Sequence, residues 1–168
     1  MIIKYVGMAV AFAACAGIGY YLSRLDGSRQ RDLNALAGAL YMLKSEIMFS
    51  RMTLSAAFAD IAERTGYAPF ADLGDKLGGE GSTRKIWMET FREHRRELYF
   101  SAEDYTQIEQ FGRTLGALDV QTQLESIDHL TDYLKKTFDA LEAVRPGRKR
   151  MFIGLGTLSG LLVAVLFI

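Results

Sequence analysis

The chain of 168 residues is poor in the side chains that build disulfide frameworks and metal centres. Its only cysteine is Cys15, which excludes an internal disulfide and suits a reducing compartment. It has two histidines and neither an H-E-x-x-H nor a C-x-x-C motif, whereas a zinc site needs at least three well-directed ligands. It also lacks a long period-2 run of apolar residues and has only two prolines, so the composition favours helices over strands.

An excess of positive charge is also lacking. The formal net charge is zero, with 20 basic and 20 acidic residues. Because Lys4 is the only charged residue outside 23–150, that range holds 19 basic and all 20 acidic residues. Such a domain has no electrostatic footprint for nucleic acid, so no nucleic-acid partner is expected.

Charge is nearly absent from both ends of the chain. Residues 151–168 carry no charge, and 1–22 carry only Lys4. As a helix, eighteen residues span about 27 Å, just short of a hydrocarbon core of roughly 30 Å. We therefore predict transmembrane helices at 1–22 and 151–168, bracketing a polar domain at 23–150.

Basic residues stand at the inner edge of both predicted spans. By the positive-inside bias they place the middle domain in the cytosol, and they lie where they can contact anionic headgroups of the lipid bilayer. These residues are Arg24, Arg29 and Arg31 after the first span, and Arg145, Arg148, Lys149 and Arg150 before the second.

The first apolar stretch has a competing interpretation as a cleaved or lipidated export signal. Phe12-Ala13-Ala14-Cys15 places small residues before a cysteine, as a lipoprotein signal does. We favour an anchor, because Phe12 replaces the usual aliphatic residue and the apolar run continues to Leu22. The alternative is an exported or membrane-anchored helical domain with a structural role only.

Small residues recur in both predicted spans. Gly156 and Gly160 form a G-x-x-x-G motif in the second, and the first carries a stripe made of Gly7, Ala11, Ala14 and Gly17. Small residues let membrane helices approach closely, so we expect the two spans to pack together.

Apolar spacing in the middle of the chain predicts about six helices. Leucines recur every three or four residues in 29–50, which indicates one helix. Thr53 or Ser55 starts a second helix that stops at Thr65-Gly66, Pro69 opens a third, and Ser82 or Thr83 starts a fourth. The fold class is an all-α antiparallel bundle.

The fifth and sixth helices carry the most distinctive residues. Ser101 and Asp104 resemble a capping box, and Asp119 is a good N-cap for the sixth helix. Gly112 and Gly116, four residues apart within the predicted fifth helix, suggest a close helix–helix approach. Pro146-Gly147 is expected to break or bend the chain before the basic run.

No active site emerges from the remaining motifs. His94 lies among cationic neighbours and is interpreted as part of a solvated face. His129, with Glu125 and Asp132 on the same helix face, is the one conceivable metal or catalytic cluster, and we interpret it as polar surface. The glycines at 78–81 lack the Gly-Lys-Ser/Thr of a phosphate loop. We predict neither an enzyme nor a cofactor.

One motif resembles a known family. The stretch 111–123 matches the pattern F-G-x-x-L-G-x-x-D-x-x-x-Q of the stage III sporulation protein AB family. The residues that match are Phe111, Gly112, Leu115, Gly116, Asp119 and Gln123. Trp87 after the glycine-rich turn and 155–161 near the end also match. Phe49 stands where the family usually has tyrosine, and Pro146-Gly147 interrupts what is usually a continuous helix.

The resemblance implies a cytosolic domain similar to the F-type platform of type II secretion and pilus machines. It implies a place in the channel between mother cell and forespore, in the mother-cell membrane, among other membrane components. The expected partner is the ATPase of the stage III sporulation protein AA family, and self-association is compatible with this role. We expect the two motif glycines and the Asp119 cap to fix the angle between the fifth and sixth helices. Asp119 and Gln123 are the better candidates for contact with a partner.

Overall fold

The computed structural model describes residues 27–50, 52–79, 81–116 and 119–167, with side chains in the last range described to residue 144. The described backbone is helical apart from turns and short irregular segments, and no strand occurs in these ranges. The helices are α1 (27–49), α2 (Leu54–Thr65), α3 (Ala68–Leu77), α4 (Thr83–Glu93), α5 (Ala102–Thr114) and α6 (Val120–Phe167), with a 3-10 turn at His94–Arg96 after α4. The predicted all-α class is confirmed.

The chain divides into two units. One comprises Arg29–Phe138, and the other combines Met1–Ser28 with Asp139–Ile168. Among the residues described, no helix is both long and apolar enough to cross a membrane. The predicted span at 1–22 lies outside the described residues, and the backbone of 151–167 is helical but its side chains are not described.

Local capping interactions fix several helix ends where the sequence predicts them. The Thr53 side chain accepts a hydrogen bond from the Ala56 N–H at the start of α2. Gly66 ends the same helix in the left-handed conformation, with φ of 67°. Ser101 and Asp104 form the predicted capping box of α5.

The core of Arg29–Phe138 combines the leucine stripe of α1 with a cluster of aromatic rings. The stripe residues Leu33, Leu36, Leu40 and Leu43 are fully buried. Trp87 of α4 is also fully buried, and its ring lies 4.6 Å from that of Phe91 and 5.0 Å from that of Phe111, centroid to centroid. Phe58 and Phe70 meet edge to face at 4.8 Å beside it. This cluster joins α2, α3, α4 and α5.

Helix α6 is buried at only a few positions of its described part. Its buried residues are Ile127, Leu130 and Leu134, whereas Leu124, Phe138 and Leu141 are only half-buried. Pro146-Gly147 is predicted to break or bend the chain, and the break is wrong, since α6 continues to Phe167. Proline removes one hydrogen bond but fixes φ near −65°, a helical value, so a helix can continue through it.

Candidate interaction surface

Gly112 makes room for the central tryptophan. A Cβ atom at position 112 would lie 2.2 Å from Cδ1 of Trp87, far inside van der Waals contact. With no side chain there, the indole lies directly on α5, and its Nε1–H donates to the carbonyl of Ile108 at 2.9 Å. Phe111, the motif residue before this glycine, packs edge-on against the same indole. The Phe-Gly pair therefore shapes the contact between α4 and α5.

Gly116 has a different role from the one predicted. Helix α5 ends at Thr114, so Gly116 lies beyond the helix, in the left-handed region with φ of 76°. Leu115, buried and extended, precedes it. A Cβ at position 116 would lie 2.9 Å from Oγ1 and 3.0 Å from Cβ of Thr83, the first residue of α4. Glycine is required here by backbone conformation and by the close approach of α4 together.

The second half of the motif starts α6. The Asp119 carboxylate accepts hydrogen bonds from the backbone N–H of Thr122 at 3.1 Å and from its hydroxyl at 2.8 Å, which confirms the predicted cap. These hydrogen bonds lower the pKa of Asp119 below its ordinary value. The backbone N–H of Gln123 donates to the Asp119 carbonyl. Asp119 is exposed, and Val120 beside it is 57% exposed, so this corner is open to a partner.

The sequence suggested that the two motif glycines fix the angle between α5 and α6, but in the structure they do not. Both face α4, through Trp87 and Thr83. What joins the end of α5 to α6 is a hydrogen bond of 2.6 Å between the hydroxyls of Thr114 and Ser126. The motif thus holds α4 against α5 and caps the next helix.

A buried carboxylate joins three helices of the bundle. Arg29 on α1 binds Asp104 with two hydrogen bonds, from Nε to Oδ2 at 2.9 Å and from Nη2 to Oδ1 at 3.0 Å. The Tyr133 hydroxyl on α6 donates to Oδ1 at 2.9 Å, and the Ser101 N–H donates to Oδ2 at 2.7 Å. The Asp104 side chain is fully buried. Such a carboxylate is tolerated because its lone pairs are occupied.

The electrostatics of this cluster follow from its contacts. Desolvation acts to raise the pKa of Asp104, but the hydrogen bonds from Arg29, Ser101 and Tyr133 outweigh it and hold this pKa below its usual value. Burial and the hydrogen bond to the carboxylate raise the pKa of Tyr133 to about 12. The sequence identified Asp104 only as a capping residue. Its partners at 29 and 133 are distant in the chain, and no local pattern indicates them.

His94 is not a solvated side chain, contrary to the sequence interpretation. Its side chain is only 14% exposed and lies between two carboxylates, with Nε2 2.9 Å from Asp72 and Nδ1 3.0 Å from Glu97. Desolvation acts to lower the pKa of His94, yet the hydrogen bonds to both carboxylates raise it overall. His94 therefore links the end of α4 to α3.

The other candidate residues are accounted for more briefly. His129 is exposed on α6, beside a shallow hollow of about 270 Å³ that Glu125 also lines. Within the described ranges no three His, Cys, Asp or Glu side chains are grouped to hold a metal ion. The side chains of Arg145, Arg148, Lys149 and Arg150 lie outside the described residues, as do the packing partners of Gly156 and Gly160.

Similarity to known proteins covers nearly the whole chain. The family model described as stage III sporulation protein AB matches residues 4–168. Stage III sporulation protein AB of Bacillus subtilis (strain 168) is 27% identical over 98% of this chain and 98% of its own length. A solved structure of stage III sporulation protein AB is similar with a TM-score of 0.66 at 26% identity, over 71% of this chain and 98% of the solved one. The chain belongs to the stage III sporulation protein AB family.

Proposed function

We propose that the protein is a non-enzymatic membrane platform that couples a cytosolic ATPase to the channel between mother cell and forespore. The observation that carries this proposal is α6, which runs without interruption from the capped corner at Val120 to Phe167. Its end coincides with the uncharged stretch 151–168, which has almost the length that a membrane-spanning helix needs. An element of this kind connects a partner-binding domain with a membrane assembly.

The ATPase of the stage III sporulation protein AA family is the partner we propose, by the family resemblance. The proposed contact includes the corner formed by Asp119, Val120 and Gln123, where an exposed carboxylate lies beside an exposed apolar side chain. A partner can bury the valine and pair with the carboxylate, the combination of apolar and polar contact that is usual in protein interfaces.

Calorimetry of the full-length chain in detergent with the purified ATPase, with and without nucleotide, tests this coupling. We expect saturable binding that Asp119→Arg weakens. Asp119→Asn is the matched control for loss of the helix cap, because asparagine keeps the cap while removing the charge of the carboxylate. If Asp119→Arg and Asp119→Asn bind like the unchanged protein, the contact lies elsewhere. If the unchanged protein does not bind in either nucleotide state, direct coupling to this ATPase is refuted.

The membrane orientation can be tested separately with a single cysteine. In a Cys15→Ala background, Glu63→Cys places the only thiol at an exposed position of α2. We expect a membrane-impermeant thiol reagent to label it only after the cells are permeabilised, because the domain faces the cytosol. Labelling of intact cells would favour the alternative, an exported or lipidated helical domain.

A further inference from the structure

An open groove lies between α4 and α5, separate from the Asp119 corner. Its volume is about 540 Å³, within the range of sites that accommodate several side chains or a small ligand. Its floor is apolar and consists of Met88, Phe91 and the ring of Tyr105. Phe91 and Tyr105 are buried and Met88 is half-buried, so the floor is firmly held by the core beneath it.

The rim of this groove is mainly basic. Arg84, Lys85, Arg92 and Arg95 line it and are exposed. Arg84 and Lys85 are not paired with a carboxylate in the described part of the chain. The Arg95 guanidinium lies 4.9 Å from the centroid of the Tyr105 ring, a cation–π contact that orders it before any ligand binds. The groove is thus lined by four cations, of which Arg92 lies near Glu89 and Arg95 lies over the Tyr105 ring.

Two carboxylates on the same rim restrict the class of ligand. Glu89 and Glu109 also line the groove, and Glu89 lies 3.9 Å from Arg92. They repel the closely spaced phosphates of a nucleic acid, a nucleotide or an anionic membrane surface. A peptide helix avoids this repulsion, because it can place carboxylates opposite the cations and neutral side chains opposite Glu89 and Glu109. The apolar floor requires an apolar face on the same helix.

We propose that the groove between α4 and α5 docks an acidic amphipathic helix of a protein partner. The apolar face of that helix covers Met88, the most exposed residue of the floor, and its carboxylates pair with Arg84, Lys85, Arg92 and Arg95. This assignment is independent of the proposed ATPase coupling, because the groove and the Asp119 corner share no residue. The rim charges speed encounter and select the sign of the partner's charge.

The test uses three fluorescent peptides that share one leucine pattern and carry Glu, Gln or Lys on the polar face. Binding to the full-length chain in detergent is followed by fluorescence anisotropy. We expect the Glu peptide to bind on the order of tenfold more tightly than the Gln peptide, and this advantage to shrink as salt is added. The Lys peptide should bind least.

Charge reversal provides the decisive comparison. Arg84→Glu/Arg92→Glu should invert the preference, so that the Lys peptide binds better than the Glu peptide. The matched control is Arg113→Glu/Lys135→Glu, which reverses two exposed cations outside the groove and should leave the preference unchanged. Thermal unfolding of each variant confirms that the bundle is intact.

Three results would overturn the proposal. The first is equal binding of the Glu and Gln peptides at low salt. The second is an equal effect of the groove and control reversals, which would indicate attraction by overall charge. The third is that charge reversal in the groove leaves peptide binding unchanged but abolishes one of two other interactions. These are binding of the chain to phosphatidylglycerol vesicles and its self-association, measured by sedimentation. In that last case a lipid surface or a second copy of the chain occupies the groove.

Discussion

Replacing Gly112 with alanine tests the central packing contact of the bundle. The added Cβ would lie 2.2 Å from Cδ1, 2.9 Å from Nε1 and 3.1 Å from Cγ of Trp87, so the indole must move. It has little space to do so, because it is fully buried and in contact with the rings of Phe91 and Phe111. Moving the indole also threatens its hydrogen bond to the Ile108 carbonyl.

The magnitude follows from two opposing effects. Alanine in place of a helical glycine gains about 1 kcal/mol of helix propensity. Overpacking a core costs about 1–3 kcal/mol and more when a rigid ring is displaced, and a buried hydrogen bond adds about 1 kcal/mol. We expect Gly112→Ala to lower the free energy of unfolding by about 2 kcal/mol, which corresponds to a fall in Tm of roughly 6–10 °C for a domain of this size.

Gly38→Ala is the matched control. Gly38 is also inside a helix, but a Cβ at that position would meet no atom within 4 Å, so this variant should gain up to about 1 kcal/mol. Thermal unfolding of the full-length chain in detergent is followed by helical circular dichroism and by the fluorescence of Trp87, the only tryptophan. If Gly112→Ala raises Tm as Gly38→Ala does, the close approach of Trp87 is not a constraint on this fold.

Three further perturbations test the remaining contacts. Gly116→Leu should lower Tm more than Asp119→Ala in the same unfolding assay, because it places a side chain at a left-handed φ and against Thr83. A smaller fall in Tm for Gly116→Leu would refute the close approach of Gly116 to Thr83. Asp104→Ala should lower the free energy of unfolding, measured with denaturant, by about 2–4 kcal/mol, because it leaves Arg29 and Tyr133 without their buried partner. A decrease below about 1 kcal/mol would contradict the cluster's structural role. The pKa of His94 is raised in the folded state, so its contribution to stability is fully present below the ordinary histidine pKa of 6.5 and is lost as pH rises through the folded pKa. His94→Gln should flatten the pH dependence of Tm above that value, and an unchanged slope would show that the two carboxylates do not stabilise the imidazolium.

Local interactions explain why the sequence predicted so much of the helical framework. The Thr53 cap, the Gly66 terminator and the capping box at Ser101 and Asp104 each involve residues within a few positions of one another. Such contacts form in the same way in many tertiary contexts, so composition and spacing identify them. The leucine stripe of α1 is equally direct, because 3.6-residue periodicity places its members on one buried face.

Where the sequence interpretation was wrong, a single local signal supported two structures. Spacing of four residues put Gly112 and Gly116 on one helix face, but only Gly112 is helical, and Gly116 turns the chain. Pro146-Gly147 is a common helix end, yet α6 passes through it. His94 stands among charged neighbours in sequence, while the carboxylates of Asp72 and Glu97 enclose it in space.

Composition, spacing and the motif at 111–123 were enough to establish the helical class, most helix starts, the α1 core face and the family. Tertiary structure alone decided what the motif glycines contact, because Trp87 and Thr83 come from a different helix and approach only after packing. It also decided the role of Asp104, whose partner Arg29 is 75 residues away. The physical reason is that capping and periodicity depend on near neighbours, whereas burial of a charge or a close approach depends on which helices the folded chain brings together.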